Sequence, residues 1–232
     1  WLGGAIIEVI TSFIVAKPTP RVNFNKIILK DIISHSKWVT SSGIFSYLFS
    51  NGDNIVVGRV LGTASLGIYD MAYSIALLPT TEIAEVVSRV TFPVYVQFSD
   101  DRQRLKKAYI KTTLLIGLLT LPIALAFFFF PTQLIMIFLG QKWLSAASVL
   151  QVMSIFAVVI AIFSPVGAVF YAVKKQKYNF IISFIAFCVM IVLIYPLVLK
   201  WGLVGAGLAA TIGALFPLPL LLFFLYKVFR KQ

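Results

Sequence analysis

Five carboxylates interrupt stretches that are otherwise apolar: Glu8, Asp53, Asp70, Glu82 and Glu85. A carboxylate in such surroundings is costly unless it meets water, a cation or hydrogen-bond donors. Asp53 closes a polar run that includes Thr40, Ser41, Ser42, Ser46, Ser50 and Asn51, and it is followed by Asn54 and Arg59. Groups of this type could hold a proton or a sodium ion, or accept hydrogen bonds from a polar solute. Asp53, Asn54, Asp70, Arg59 and Glu8 are therefore candidate binding residues. Glu85 and Arg89 stand in the favourable i, i+4 order, with Glu82 about one turn back on the same helical face. The three could form a local ion pair, or a gate that breaks and re-forms. No catalytic constellation accompanies them. The single histidine, His35, lies among lysines, and the single cysteine, Cys188, lies in an apolar run. No zinc spacing, glycine-rich phosphate loop or nucleophile elbow is present. Neither an enzyme, a metal site nor a cofactor is expected.

The elements that must position these residues follow from composition. Hydrophobic residues make up 60% of the chain and charged residues 12%, with a mean hydropathy of +0.97. Soluble domains carry about 25% charged residues. Lipid must therefore solvate much of this surface. Residues 112–130, 143–173, 178–199 and 201–226 carry no charge, and 38–58 and 60–81 carry one each, Asp53 and Asp70. A spanning helix needs about 20 mostly apolar residues. The reading is an all-α membrane protein with six complete transmembrane helices. They fall near 38–60, 66–90, 108–130, 145–172, 178–199 and 202–226. Residues 1–16 look like the end of a seventh, and the opening at Trp1 inside an apolar run suggests that an upstream part precedes it. Gly202, Gly205, Ala206, Gly207, Ala209, Ala210 and Gly213 form a small-residue surface suited to close helix packing.

Charge supplies an independent check. The net charge is +12, and 17 of the 20 basic residues fall in segments 17–37, 89–111, 174–177 and the tail. The intervening connections hold only Arg59, Lys142 and Lys200. Basic and poor connections alternate, so the positive-inside rule places the basic ones and the C-terminus in the cytoplasm. Anionic lipid headgroups, not nucleic acid, are the natural partner of these cations. Segment 17–37 begins Lys17-Pro18-Thr19-Pro20, which stops a helix, and continues as an amphipathic pattern. It reads as a cytoplasmic linker between the helix end at 1–16 and a six-helix bundle at 38–232.

One stretch resembles a known family. Asp53-Asn54-Ile55-Val56-Val57-Gly58-Arg59-Val60-Leu61-Gly62 runs into Leu66-Gly67-Ile68-Tyr69. This is similar to the signature of Wzx-type polysaccharide flippases, of the multidrug/oligosaccharidyl-lipid/polysaccharide exporter superfamily. Phe92-Pro93 and Phe138-Leu139-Gly140-Gln141-Lys142-Trp143 look similar to later segments of that family. The resemblance implies a bacterial inner-membrane protein with two six-helix bundles around a central cavity, of which this chain is the C-terminal one. It implies a cargo, an oligosaccharide on polyprenyl pyrophosphate, flipped to the outer leaflet by alternating access. The missing N-terminal half would be its partner. A pyrophosphate favours cations, whereas these membrane-depth charges are mainly acidic. The acids would suit a coupling proton or sodium ion, or a cation-coupled drug or metabolite antiporter of the same superfamily. A membrane-embedded glycan enzyme and a non-transporting scaffold are the readings outside transport.

Overall fold

The computed structural model describes the backbone of residues 26–230 and the side chains of residues 36–230, together with Gly4, Thr11 and Ser12. Every regular element among them is helical: α1 (Lys26–Leu61), α2 (Thr63–Gln97), α3 (Arg102–Phe129), α4 (Pro131–Phe138), a 3-10 helix (Gln141–Ala146), α5 (Ala147–Ala172), α6 (Gln176–Leu215) and α7 (Leu218–Arg230). The chain divides into two compact units, residues 1–36 and 37–232. The helix end expected at 1–16 lies almost wholly outside the described residues, as does the linker up to residue 25. The amphipathic segment is helical from Lys26, with no proline or glycine to interrupt it.

The basic segment expected at 89–111 is mostly helical. Helix α2 continues to Gln97 and α3 begins at Arg102, leaving a short turn. Asp101 makes that turn possible. Its carboxylate accepts from the backbone N–H groups of Gln103 and Arg104 at 3.1 and 3.0 Å, capping α3.

Among the described residues three stretches, Arg102–Phe129, Gln141–Ala172 and Gln176–Arg230, are long and apolar enough to cross a membrane. The third is not one rod. Gly202 sits at φ 56°, ψ −133°, inside what is otherwise α6. Beyond it the chain doubles back. A Cβ on Gly205 would lie 2.0 Å from the Leu197 carbonyl oxygen, and one on Gly213 would meet Met190 at 2.9 Å and the Ala186 carbonyl at 3.1 Å. A straight helix would hold Ala186 and Gly213 about 40 Å apart. Gly205 and Gly213 therefore pack one limb of a helical hairpin on the other, while Gly207 packs against Met153 and Val152 of α5. Gly205, Ala206, Gly207, Ala209, Ala210 and Gly213 are all buried.

Helix α5 is the centre of the bundle and packs against α2, α3 and α6. Helix α3 shows how lipid reverses the usual pattern. Leu114, Leu118, Leu121, Leu125 and Phe129 form an exposed apolar stripe, while Thr112, Ile116, Thr120 and Ala124 face inward. The buried threonines give their hydroxyls to carbonyls one turn back: Thr112 to Ala108, Thr120 to Ile116. Backbone groups freed by breaks are also met. Pro165 cannot donate to the Ala161 carbonyl, and the Ser164 hydroxyl does so at 3.0 Å. Gln151 donates to the Phe128 carbonyl at the end of α3, at 3.1 Å. Such repairs keep a helix tolerable in hydrocarbon.

Candidate functional site: the α1–α2 hairpin and its hydroxyl-lined pocket

Only Gly62 separates α1 from α2, and its φ of 85° is one that glycine adopts without strain. A turn this tight sets residues at similar distance from it level with each other. Gly58 meets Leu66, with 3.2 Å from a Gly58 Cβ to Leu66 Cδ2. One further step out, Asp53 meets Tyr69. The Tyr69 hydroxyl donates to Asp53 Oδ2 at 2.5 Å, and the Asn54 backbone N–H donates to Oδ1 at 2.9 Å. Asp53 is 1% exposed and Tyr69 0%. Each carboxylate oxygen thus has a donor, which offsets the cost of burying it. Asp53 thus meets hydrogen-bond donors of its own hairpin, one of the ways a carboxylate in apolar surroundings is accommodated.

The other ionisable candidates take a different position. Asp70, one residue beyond Tyr69, is exposed, and so are Ser74, Glu82, Glu85 and Arg89. At 100° per residue these fall on one side of α2, opposite its buried Ala72, Ala76, Thr80 and Ala84. Arg89 Nη2 donates to Glu85 Oε1 as expected, and both side chains are more than half exposed. Arg59 is exposed and Asn54 half-buried. Glu8 lies outside the described residues. The structure therefore brings Asp70, Glu82, Glu85 and Arg89 onto one exposed side of α2, which they share with exposed Leu78 and Val86, while Asp53 is buried.

Ser42, Ser46, Ser50 and Asp53 follow one another at helical spacing along α1. The three serines open into a pocket of about 390 Å³ between α1, α5, α6 and α7, whose lining includes Phe163, Ser164, Tyr171, Asn179 and Ser183. Ser46 Oγ and Ser183 Oγ are 3.0 Å apart, and Asn179 Nδ2 donates to the Gly167 carbonyl at 3.1 Å. No charged side chain among the described residues lines it. A mostly apolar pocket with a few hydroxyl and amide groups can hold a neutral solute that has both apolar and hydrogen-bonding surface. Sequence reasoning missed Tyr69 as Asp53's partner, although both stand in the quoted signature. It also missed Asn179 and Ser183, which only the packing of α6 on α1 and α5 brings into play.

Long, lipid-facing helices around buried polar groups define a polytopic membrane protein. Its fold is shared with a solved structure: a crystal structure of MATE in the straight conformation superposes with a TM-score of 0.70, 17% identity, 99% of this chain and 56% of that one. Residues 1–148 match the family described as "Polysaccharide biosynthesis protein", and the chain belongs to that family. Among curated relatives, the lipopolysaccharide biosynthesis protein WzxC of Escherichia coli K12 is 25% identical over 84% of this chain and 39% of its own length. The teichuronic acid biosynthesis protein TuaB of Bacillus subtilis 168 is 28% identical over 66% of this chain and 32% of its own. The succinoglycan biosynthesis transport protein ExoT of Rhizobium meliloti 1021 is 23% identical over 65% and 31%. The chain thus spans about two fifths or less of these relatives.

Proposed function

We propose that this chain forms the C-terminal bundle of a transporter that flips a polyprenyl-pyrophosphate-linked oligosaccharide across the bacterial cytoplasmic membrane by alternating access. The observation that carries the proposal is the polar face of α2. Asp70, Ser74, Glu82, Glu85 and Arg89 are exposed on a helix of a membrane protein, and no described residue covers them. Charged groups at membrane depth face a protein interior or a water-filled cavity. A second bundle opposite α2 would enclose such a cavity, consistent with the greater length of the relatives. Six crossings then place the ends bearing the basic segments, and the C-terminus, in the cytoplasm. Residues 17–37 link the two bundles.

Within this scheme Asp70 contacts solute or a coupling proton or sodium ion, and Glu82, Glu85 and Arg89 form the gate at the cytoplasmic end. Asp53 and Asn54 couple the hairpin to the hydroxyl-lined pocket, Arg59 lies at the outer mouth, and the opposite bundle supplies cations for the pyrophosphate. The test replaces Asp70 or Glu85 by Ala in the complete protein and measures surface polysaccharide. Export should fall about tenfold or more, the factor given by ~1.4 kcal/mol of lost interaction. Normal polymer at normal protein level would remove these residues from the mechanism. The excess of acids on the α2 face favours one second reading, a cation-coupled antiporter. Ion-dependent export of a cationic dye, with polysaccharide unaffected by either substitution, would select it.

A further inference from the structure

At the end of the bundle bearing the basic segments, a cleft of about 140 Å³ is lined by Arg102, Val173, Lys175, Tyr178, Lys227 and Val228. Its three cations come from three separate places. Arg102 is the first residue of α3, Lys175 immediately precedes α6, and Lys227 lies in the last turn of α7. No carboxylate among the described residues lines the cleft. The nearest acids in sequence do not serve it: Asp101 caps α3 and pairs with Arg104 at 3.1 Å, and Asp100 is exposed.

Of the other cations at this end, Arg104 has Asp101, Lys177 lies 5.4 Å from the centre of the Trp38 ring, and Arg230 lies 5.6 Å from that of Tyr226. Arg102 Nη1 is buried with no hydrogen-bond acceptor among the described residues, and a charged donor shut away from water without an acceptor is costly. The surroundings are fixed. Tyr178 is stacked on Phe224 with ring centres 4.2 Å apart. The turn presenting Lys175 is held by its N–H to the Phe170 carbonyl at 2.8 Å, and Lys174 is kept at φ 57°, a left-handed conformation unfavourable for lysine.

We propose that this cleft binds a phosphate group, that of an anionic phospholipid headgroup or of a soluble phosphate. Phosphate oxygens would accept from the Arg102 guanidinium, and two ammonium groups would balance the charge. The site lies on α3, α6 and α7, apart from the α1–α2 hairpin, and does not depend on the flipping proposal.

Native mass spectrometry of the complete protein in neutral detergent tests it, with phosphatidylglycerol, phosphatidylcholine and inorganic phosphate as probes. One phosphatidylglycerol should bind saturably. Arg102→Gln should weaken it about tenfold or more, Arg102→Lys should restore part of the affinity, and Arg104→Gln, which removes the same charge outside the cleft, should leave it unchanged. Lys227→Gln gives the same reading should Arg102→Gln fail to fold. Displacement by inorganic phosphate would show that the phosphate alone suffices, and retention against it would assign the site to the lipid. Equal weakening by Arg104→Gln would reduce the effect to diffuse surface charge and overturn the proposal, as would binding indifferent to both Arg102 and Lys227.

Discussion

Asp53 and Asp70 show how one fold treats two carboxylates on adjoining helices. Asp53 is closed in with a phenol and a backbone N–H, while Asp70 faces outward. Their substitutions should therefore separate. Tyr69→Phe leaves a buried carboxylate oxygen without its donor and should cost about 1–3 kcal/mol. The measurement is thermal unfolding in detergent, and adding Asp53→Leu to Tyr69→Phe should recover much of the loss, because both partners are then apolar. A Tyr69→Phe protein as stable as the parent would mean that Asp53 finds its donor elsewhere. Asp70→Ala and Glu85→Ala should leave unfolding unchanged, since both side chains are exposed and the Glu85–Arg89 pair is a surface one. An effect of either on export is then an effect on transport.

At the scale of elements, the hairpin turning at Gly202 depends on the absence of a side chain more than on any attraction. Gly205→Ala puts a methyl 2.0 Å from the Leu197 carbonyl oxygen, which is backbone and cannot step aside. The expected loss is at least the ~1–3 kcal/mol of ordinary overpacking. Gly117, on α3, has nothing within 4 Å of its Cβ position. Gly117→Ala should therefore stabilise its helix by about 0.5–1 kcal/mol, the usual preference of a helix interior for alanine. Opposite signs in the two melting curves are the prediction. Destabilisation by both would mean that α3 packs against something this chain does not contain.

Across the whole molecule, the question is which surfaces meet lipid and which meet water. Helix α3 offers lipid an apolar stripe, and α2 offers a polar one. Single cysteines at positions 70, 74 and 85 of the complete protein, with Cys188 replaced, should react with a membrane-impermeant maleimide. Cysteines at 72, 76 and 84, on the buried side of α2, should not. Positions 114, 118 and 125 on α3 should be shielded by lipid. A dry α2 face in every condition would leave a bundle of anchoring helices with no passage beside it.

Composition and charge alternation were enough to read the all-helical membrane class, because hydrocarbon allows so few ways of satisfying a backbone. The glycine and alanine run 202–213 was legible as a packing face for the same reason: only small residues let helices approach so closely. Tertiary structure decided which ionisable group is buried. Asp53 and Asp70 look alike along the chain, and only the one-residue turn at Gly62 sets Tyr69, not solvent, against the first of them. The meeting of Ser46 with Ser183, and the gathering of Arg102, Lys175 and Lys227 around one cleft, leave no local pattern in sequence. Helical periodicity reports which way a side chain points within its own helix and carries no record of which helix it will meet.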